Sequence, residues 1–272
     1  MKQAILGLTL AFALHAAEEK TSEHKSFAGV KELAIDNITG NIEVTASTGN
    51  TVEMDIEKTL SGDSADRLAL AKKEISLATT QEGSLVRLMV DGPFRCHCSD
   101  NSTNVRHQVY GFNYDFKVRV PRGVKLDLRS VNHSHIKVEG TAGDYVLNNV
   151  NGPIEMKDVE GSGTVRTVNG EVKVQYARNP TGATSFKTVN GTLDIGFKPG
   201  LNADVRMKTL NGGLFTDFDV TALPVAVSQP ENRNGKLVWR SSRMTGVRIG
   251  QGGPELQFET LNGNVLVRNR EK

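Results

Sequence analysis

From residue 131 onward, apolar and polar positions alternate in short runs, and the runs recur. The unit is a small or polar residue, an aliphatic, Asn, Gly, any residue, an aliphatic, any residue, an aliphatic. Clear copies are Val150-Asn151-Gly152-Pro153-Ile154-Glu155-Met156, Val168-Asn169-Gly170-Glu171-Val172-Lys173-Val174, Val189-Asn190-Gly191-Thr192-Leu193-Asp194-Ile195, Leu210-Asn211-Gly212-Gly213-Leu214 and Leu261-Asn262-Gly263-Asn264-Val265-Leu266-Val267. Ile38-Thr39-Gly40-Asn41-Ile42-Glu43-Val44 is an earlier relative. Val131-Asn132-His133-Ser134-His135-Ile136-Lys137-Val138 is a distorted one, lacking the Gly and holding one extra residue. From Asn132 the Asn positions advance by 19, 18, 21 and 21 residues to Asn211, then by 51 to Asn262. Each of the spacings of 18 to 21 fits two short strands and two turns, and Glu160–Gly163, Asn179–Gly182 and Lys198–Leu201 supply the second turn.

Two all-β architectures fit. Asn-Gly between alternating apolar residues is a hairpin signal, which gives an antiparallel β-meander. The alternative is a parallel β-helix-like β-solenoid, each unit a coil stacked on its neighbours. Parity favours the solenoid: the aliphatic before Asn, the Gly and the two following aliphatics fall at offsets 0, 2, 4 and 6, one face of a continuing strand. Repeated Asn at one corner then bonds to its copies above and below. Before residue 130 the pattern differs. Thr51–Leu60, Ser84–Asp91 and Tyr114–Val120 read as strands, and Ser64–Lys73 as a short helix N-capped by Ser64. The expected organisation is a 1–17 signal peptide, an 18–26 flexible flank, a strand-rich cap over 27–130 and the repeat array over 131–270, with 27–130 and 131–270 forming one continuous domain. Residues 218–245 interrupt the repeat.

The N-terminus sets the expected compartment. Met1-Lys2 is positive, Ala4–Leu14 is almost wholly apolar, and Ala16-Ala17 precede the charged Glu18-Glu19-Lys20. This is the pattern of a secretory signal peptide, and the run is too short to span a bilayer. No Cys stands near the cleavage region, so the expectation is an exported, periplasmic or extracellular protein rather than a lipoprotein. The net charge of +2 and the 24% of charged residues are too balanced for a nucleic-acid binder. Gly is abundant (27) and aromatics are 6%, which suits many short strands and tight turns.

The segment Phe116–Asn132 (FKVRVPRGVKLDLRSVN), with the serial Val-Asn-Gly units after it and Ile35–Val44 before it, resembles the bacterial DUF4097 family of adhesin-type proteins. The resemblance spans residues 27–270. It implies a β-solenoid-like fold and an envelope or surface location. The His-containing unit at 131–138 and the Cys-containing loop depart from the family pattern.

Candidate chemistry is sparse. Cys96-His97-Cys98, with His107 nearby, and the pair His133 and His135 carry the residue types of a zinc site, but Cys-x-Cys is not the usual knuckle spacing. An exported Cys pair also tends to oxidise, although a Cys96–Cys98 bridge closes a strained ring. Asp194, Asp204, Asp217 and Asp219 are the carboxylates to test for polysaccharide cleavage, yet Asp194 shares its position with Glu155 and Lys173, as on a solvated face. No Gly-rich phosphate loop is present. The expectation is a non-enzymatic envelope or surface protein without a cofactor, with an adhesin-like binding or scaffolding role toward an envelope polysaccharide or another envelope protein. The alternatives are a polysaccharide lyase or hydrolase on the same scaffold, and a stress-linked envelope sensor acting through protein contacts.

Overall fold

The structure is a computed structural model describing residues 17–95, 109–224 and 244–271, with the backbone alone of 231–233 and 236–238. The chain opens with β1 (Ala17–Ala28), β2 (Glu32–Asp36), β3 (Ile42–Ser47), β4 (Thr51–Gly62), α1 (Ala65–Glu74), β5 (Ser76–Glu82), β6 (Leu85–Asp91) and β7 (Tyr110–Pro121). Strands then come in pairs, one on each side of an Asn corner. These are β8 (Lys125–Arg129) and β9 (Ile136–Glu139), β10 (Tyr145–Asn148) and β11 (Ile154–Val159), β12 (Gly163–Arg166) and β13 (Val172–Tyr176), β14 (Thr184–Lys187) and β15 (Leu193–Phe197), and β16 (Ala203–Lys208) and β17 (Leu214–Thr216). After β18 (Val220–Ala222), β19 (Glu231–Arg233), β20 (Lys236–Val238) and β21 (Thr245–Ile249) comes a last pair, β22 (Glu255–Glu259) and β23 (Val265–Asn269).

The fold is all-β, with the strands in two large sheets. The first runs β1-β4-β7-β3-β9-β11-β13-β15-β23-β17 and the second β18-β21-β16-β22-β14-β12-β10-β8-β2-β6-β5. Each repeat places one strand in each sheet, and successive repeats pair in parallel: Val172 lies beside Ile154 on one side and Leu193 on the other. A two-residue hairpin at Asn-Gly would have made these pairs antiparallel, so the meander is excluded for the repeats.

The core lies between the sheets as stacked rows, one residue per coil. Ile42, Ile136, Ile154, Val172, Leu193 and Val265 form one such row, all fully buried. Aromatics fill the wider part, with Phe186 stacked on Phe258 at 5.2 Å and Tyr176 on Phe197 at 5.1 Å between ring centroids. Burying each such side chain contributes about 1.5–3 kcal/mol.

Spatial order departs from chain order at both ends of the stack. The coil β2–β3 sits between β6–β7 and β8–β9, and the C-terminal coil β22–β23 sits between β14–β15 and β16–β17. Residues 27–130 contribute two coils to the stack as well as two antiparallel strands, β4 between β7 and the edge strand β1 and β5 at the edge of the second sheet. The 18–26 segment, expected as a flexible flank, is part of β1, paired with β4 from Ala17 to Ala28. Its charges, read as a sign of disorder, find partners on β4: Lys20 Nζ is 3.1 Å from Glu57 and His24 Nδ1 is 2.7 Å from Asp55. The helix forms as expected, with the Ser64 side chain accepting from the Arg67 amide. The signal-peptide segment up to residue 16 lies outside the described residues.

Candidate binding surface

Every repeat turns from the second sheet to the first at its Asn, and the asparagines stack into a continuous ladder. Asn151 Nδ2 donates to Asn132 Oδ1 (3.0 Å), Asn169 to Asn151 (2.8 Å), Asn190 to Asn169 (2.7 Å), Asn262 to Asn190 (2.6 Å) and Asn211 to Asn262 (2.6 Å). The Gly that follows answers to space. A Cβ on Gly191 would stand 1.9 Å from the Gly170 carbonyl oxygen, and one on Gly263 2.0 Å from that of Gly191. The distorted repeat meets the same corner differently. His133 takes a left-handed backbone (φ 46°), and the extra residue, Ser134, turns inward to bond Asn149 Oδ1 at 2.7 Å.

Behind the ladder runs a second row, whose role the sequence did not disclose. From Asn151 onward, the residue two before each ladder Asn points inward and bonds the carbonyl of a neighbouring corner, whereas Ser130, two before Asn132, has a buried hydroxyl without a hydrogen bond among the described residues. Thr167 Oγ1 donates to Gly152 (2.9 Å), Thr188 to Gly170 (3.0 Å), Thr260 to Gly191 (3.1 Å) and Thr209 to Gly263 (2.9 Å). Asn149 takes this place one coil earlier, donating to the Ser134 carbonyl at 3.1 Å. Each threonine bond gives a half-buried corner glycine a partner for its carbonyl, with a net stabilisation of about 1 kcal/mol.

Because the Thr points in, the aliphatic between Thr and Asn points out. This corrects the expected parity: alternation slips by one residue at the corner, so Val165 and Thr167 face the core, as do Val172 and Val174, whereas Val168 faces solvent. The result is a row of aliphatics on the surface, one per coil. Val150 is partly covered, Val168, Val189 and Leu261 are 38%, 37% and 42% exposed, and Leu210 reaches 69%. They floor a shallow groove of about 620 Å³. One wall of the groove is the row Asn148, Arg166, Lys187, Glu259 and Lys208 at the ends of the second-sheet strands. Glu259 forms ion pairs with both Lys187 (3.2 Å) and Lys208 (3.6 Å), so that trio keeps one net positive charge. Arg166 has no ion-pair partner among the described residues. The groove is thus apolar along its floor and cationic along one wall.

The outward face of the first sheet is different. Lys117, Glu43, Lys137, Glu155, Lys173 and Asp194 stand side by side along adjacent strands, alternating in sign. Each charge is flanked by its opposite, so the face is close to neutral at short range.

The sequence-expected site residues are described only in part. Cys96 and Cys98, with His97 and His107, lie outside the described residues. His133 is exposed, and the His135 ring lies 3.8 Å from a Glu155 oxygen, beyond hydrogen-bond reach. Among the described residues no group of three or more His, Cys, Asp or Glu comes together to hold a metal ion. Asp194 is paired with Arg268 at 2.7 Å on the first sheet. Asp204 is on the second sheet, where hydrogen bonds from Arg248 hold its carboxyl below the usual range. Asp217 receives the Asn269 amide, and Asp219 is exposed beyond β17. Asp194 and Asp204 thus stand in arginine pairs on different sheets. The Asn-Gly residues 151–152, 169–170, 190–191, 211–212 and 262–263 do come together, as the ladder at the corner next to the aliphatic row.

No family model matches the chain, and no curated protein matches it. Among solved structures, a candidate cell adhesion protein from Clostridium sporogenes aligns with 93% of this chain and 100% of its own, at 8% identity and a TM-score of 0.44. A candidate adhesin from Bacteroides fragilis aligns over 92% and 97% at 9% identity (TM-score 0.34), and a candidate lipid binding protein from Parabacteroides distasonis over 92% and 96% at 10% (TM-score 0.29). Likenesses this distant carry no argument about function, which rests on the chain's own geometry. No helix among the described residues is long and apolar enough to cross a membrane.

Proposed function

We propose that this chain is a non-catalytic binding protein of the bacterial cell envelope, and that it binds along the aliphatic row at the Asn corner. The ligand proposed is an anionic amphiphile with one extended hydrocarbon chain. The single observation that carries this is the continuous surface row Val150, Val168, Val189, Leu261 and Leu210 beside Arg166, Lys187 and Lys208. Exposed apolar stretches of this regularity mark interaction surfaces.

Width and chemistry select the occupant. The row is one side chain wide, too narrow for the apolar face of a helix. An extended peptide laid along it would cover its own backbone groups without finding partners, because the ladder amides already bond one another and the corner carbonyls are taken. A hydrocarbon chain has no polar group to lose and gains about 0.8 kcal/mol per buried CH₂. Four coil steps from Val150 to Leu210 span about 19 Å, the reach of a long acyl chain. Arg166 and the amide of Asn148 then meet the anionic group. A glycan is less well served: Phe215 is the one aromatic among the exposed large apolar residues described.

The test is titration of the mature chain with carboxyl-labelled palmitate and with lysophosphatidylglycerol. Val189→Asp and Leu261→Asp, both at surface positions, are expected to weaken binding at least tenfold, and Arg166→Glu to weaken the anionic probes but not an uncharged analogue. Absence of binding, or binding indifferent to these changes, sinks the reading. Salt-resistant retention on isolated envelope polysaccharide, unaffected by the same variants, would establish the glycan alternative instead, and release of reducing ends the enzymatic one.

A further inference from the structure

The described coils contain five Asn-Gly steps, and Asn-Gly is the sequence at which an asparagine most readily loses its amide. The reaction is intramolecular. The Gly backbone nitrogen gives up its proton to water and attacks the Asn Cγ. The new N–Cγ bond forms as the Cγ–Nδ2 bond breaks, and ammonia leaves. Water then opens the cyclic imide to aspartate or isoaspartate. The carboxamide must be free to swing toward its own backbone, and the Gly nitrogen must be free to lose its proton.

The stack withholds both freedoms at the corners of Asn169, Asn190 and Asn262, and the freedom of the carboxamide at that of Asn151. The carboxamides of Asn151, Asn169, Asn190 and Asn262 are each held on two sides, donating to one neighbour and accepting from the next. The Gly170, Gly191 and Gly263 amides donate to the carbonyls of Asn190, Asn262 and Asn211, at 3.0, 2.9 and 3.0 Å. The last coil differs. Asn211 donates to Asn262, but among the described residues no further asparagine stacks on its Oδ1, and β17 is the last strand of its sheet, so no described coil follows to receive the Gly212 N–H. Both residues are exposed.

We propose that Asn211–Gly212 is a deamidation site built into the end of the ladder, and that the same reaction is suppressed at the four internal steps by the hydrogen bonds that make the ladder. The product has a direct structural consequence. A carboxylate at 211 has no N–H to offer, so an acceptor faces the Asn262 Oδ1 and the last rung is lost, beside Leu210 at the end of the groove. The inference stands on the ladder's geometry and does not depend on what the groove binds.

The experiment is peptide mapping by mass spectrometry of the mature chain after incubation at mildly alkaline pH, native and in denaturant. In the native chain Asn211 is expected to convert at least tenfold faster than Asn169, Asn190 or Asn262; in denaturant the five steps should converge. A causal variant follows from the same logic. Asn211→Ser removes the last ladder amide and leaves Asn262 held on one side, so conversion at Asn262 should rise while Asn151 and Asn169 stay unchanged. Equal native rates, an internal step converting first, or no conversion at Asn211 while the denatured chain converts all five would overturn the proposal. Asn234–Gly235, a sixth step in the sequence, lies outside the described residues and is scored separately.

Discussion

The two ends of the stack solve the same problem unequally. At one end the first sheet continues past the outermost coil through β4 and β1, both 12 residues long and antiparallel, with α1 packed against β4 and β5 closing the second sheet. The strand left at that edge carries Glu18, Glu19, Lys20, Glu23 and Lys25, charges that discourage further pairing. At the other end, among the described residues, β21 and β18 cover the second sheet while the first sheet ends at three-residue β17, with Leu210 and Phe215 exposed. Antiparallel strands that cannot propagate the coil terminate the array where they are present, and the uncovered edge shows what an internal coil looks like without its neighbour.

This contrast yields graded expectations. The largest effect belongs to the crowded internal corner. Gly191→Ala should cost about 3 kcal/mol or more, since its Cβ would meet the Gly170 carbonyl and the coil is held on both faces. Gly212→Ala makes the same clash, 2.0 Å from the Gly263 carbonyl oxygen, but in a coil free to shift outward, so about 1 kcal/mol is expected. Denaturant melts of the pair check this, and equal losses would mean that the end coil is as constrained as the middle. Next comes the inner row. Thr188→Val should cost about 1–2 kcal/mol by stripping a half-buried glycine carbonyl of its donor, and Thr209→Val, less deeply buried, about 0.5 kcal/mol.

The smallest effect is acid loosening at both edges. The His24 hydrogen bond lowers the Asp55 pKa across β1 and β4, and the Arg248 hydrogen bond lowers that of Asp204 across β16 and β21. A carboxyl depressed in the folded state contributes stability that is present above its ordinary value of 3.8 and lost as pH falls through the folded value. Amide exchange in β1 and β21 should therefore speed up below that range before the internal coils respond. Uniform acceleration would show that these pairs do not hold the edges.

Much of the array was legible in the chain because the Val-Asn-Gly units repeat the same physical demand: a corner with no room for a Cβ and an amide able to bond its copies. Three features were not. The outward turn of Val168, Val189, Leu210 and Leu261 was missed because parity was counted forward from the Asn, across a corner that breaks it. Counting from the strand before, Val165 to Thr167 and Phe186 to Thr188, would have found it. The placement of β22–β23 inside β16–β17 is a choice of neighbour, and Asn262 is chemically the same as any other rung. The charged composition of 18–26 suggested a loose flank, yet a strand needs only its backbone to pair, and opposite charges on β4 decide the rest.

The tucking of the C-terminal coil has a mechanical consequence. Tension on the chain's C-terminus does not act on the outermost coil. It acts on β22–β23, which is hydrogen-bonded to β14–β15 on one side and β16–β17 on the other. Extraction must shear two parallel interfaces together where a terminal coil would peel from one. A stack that can unzip from its end under load is thereby converted into one whose first yielding step lies inside it.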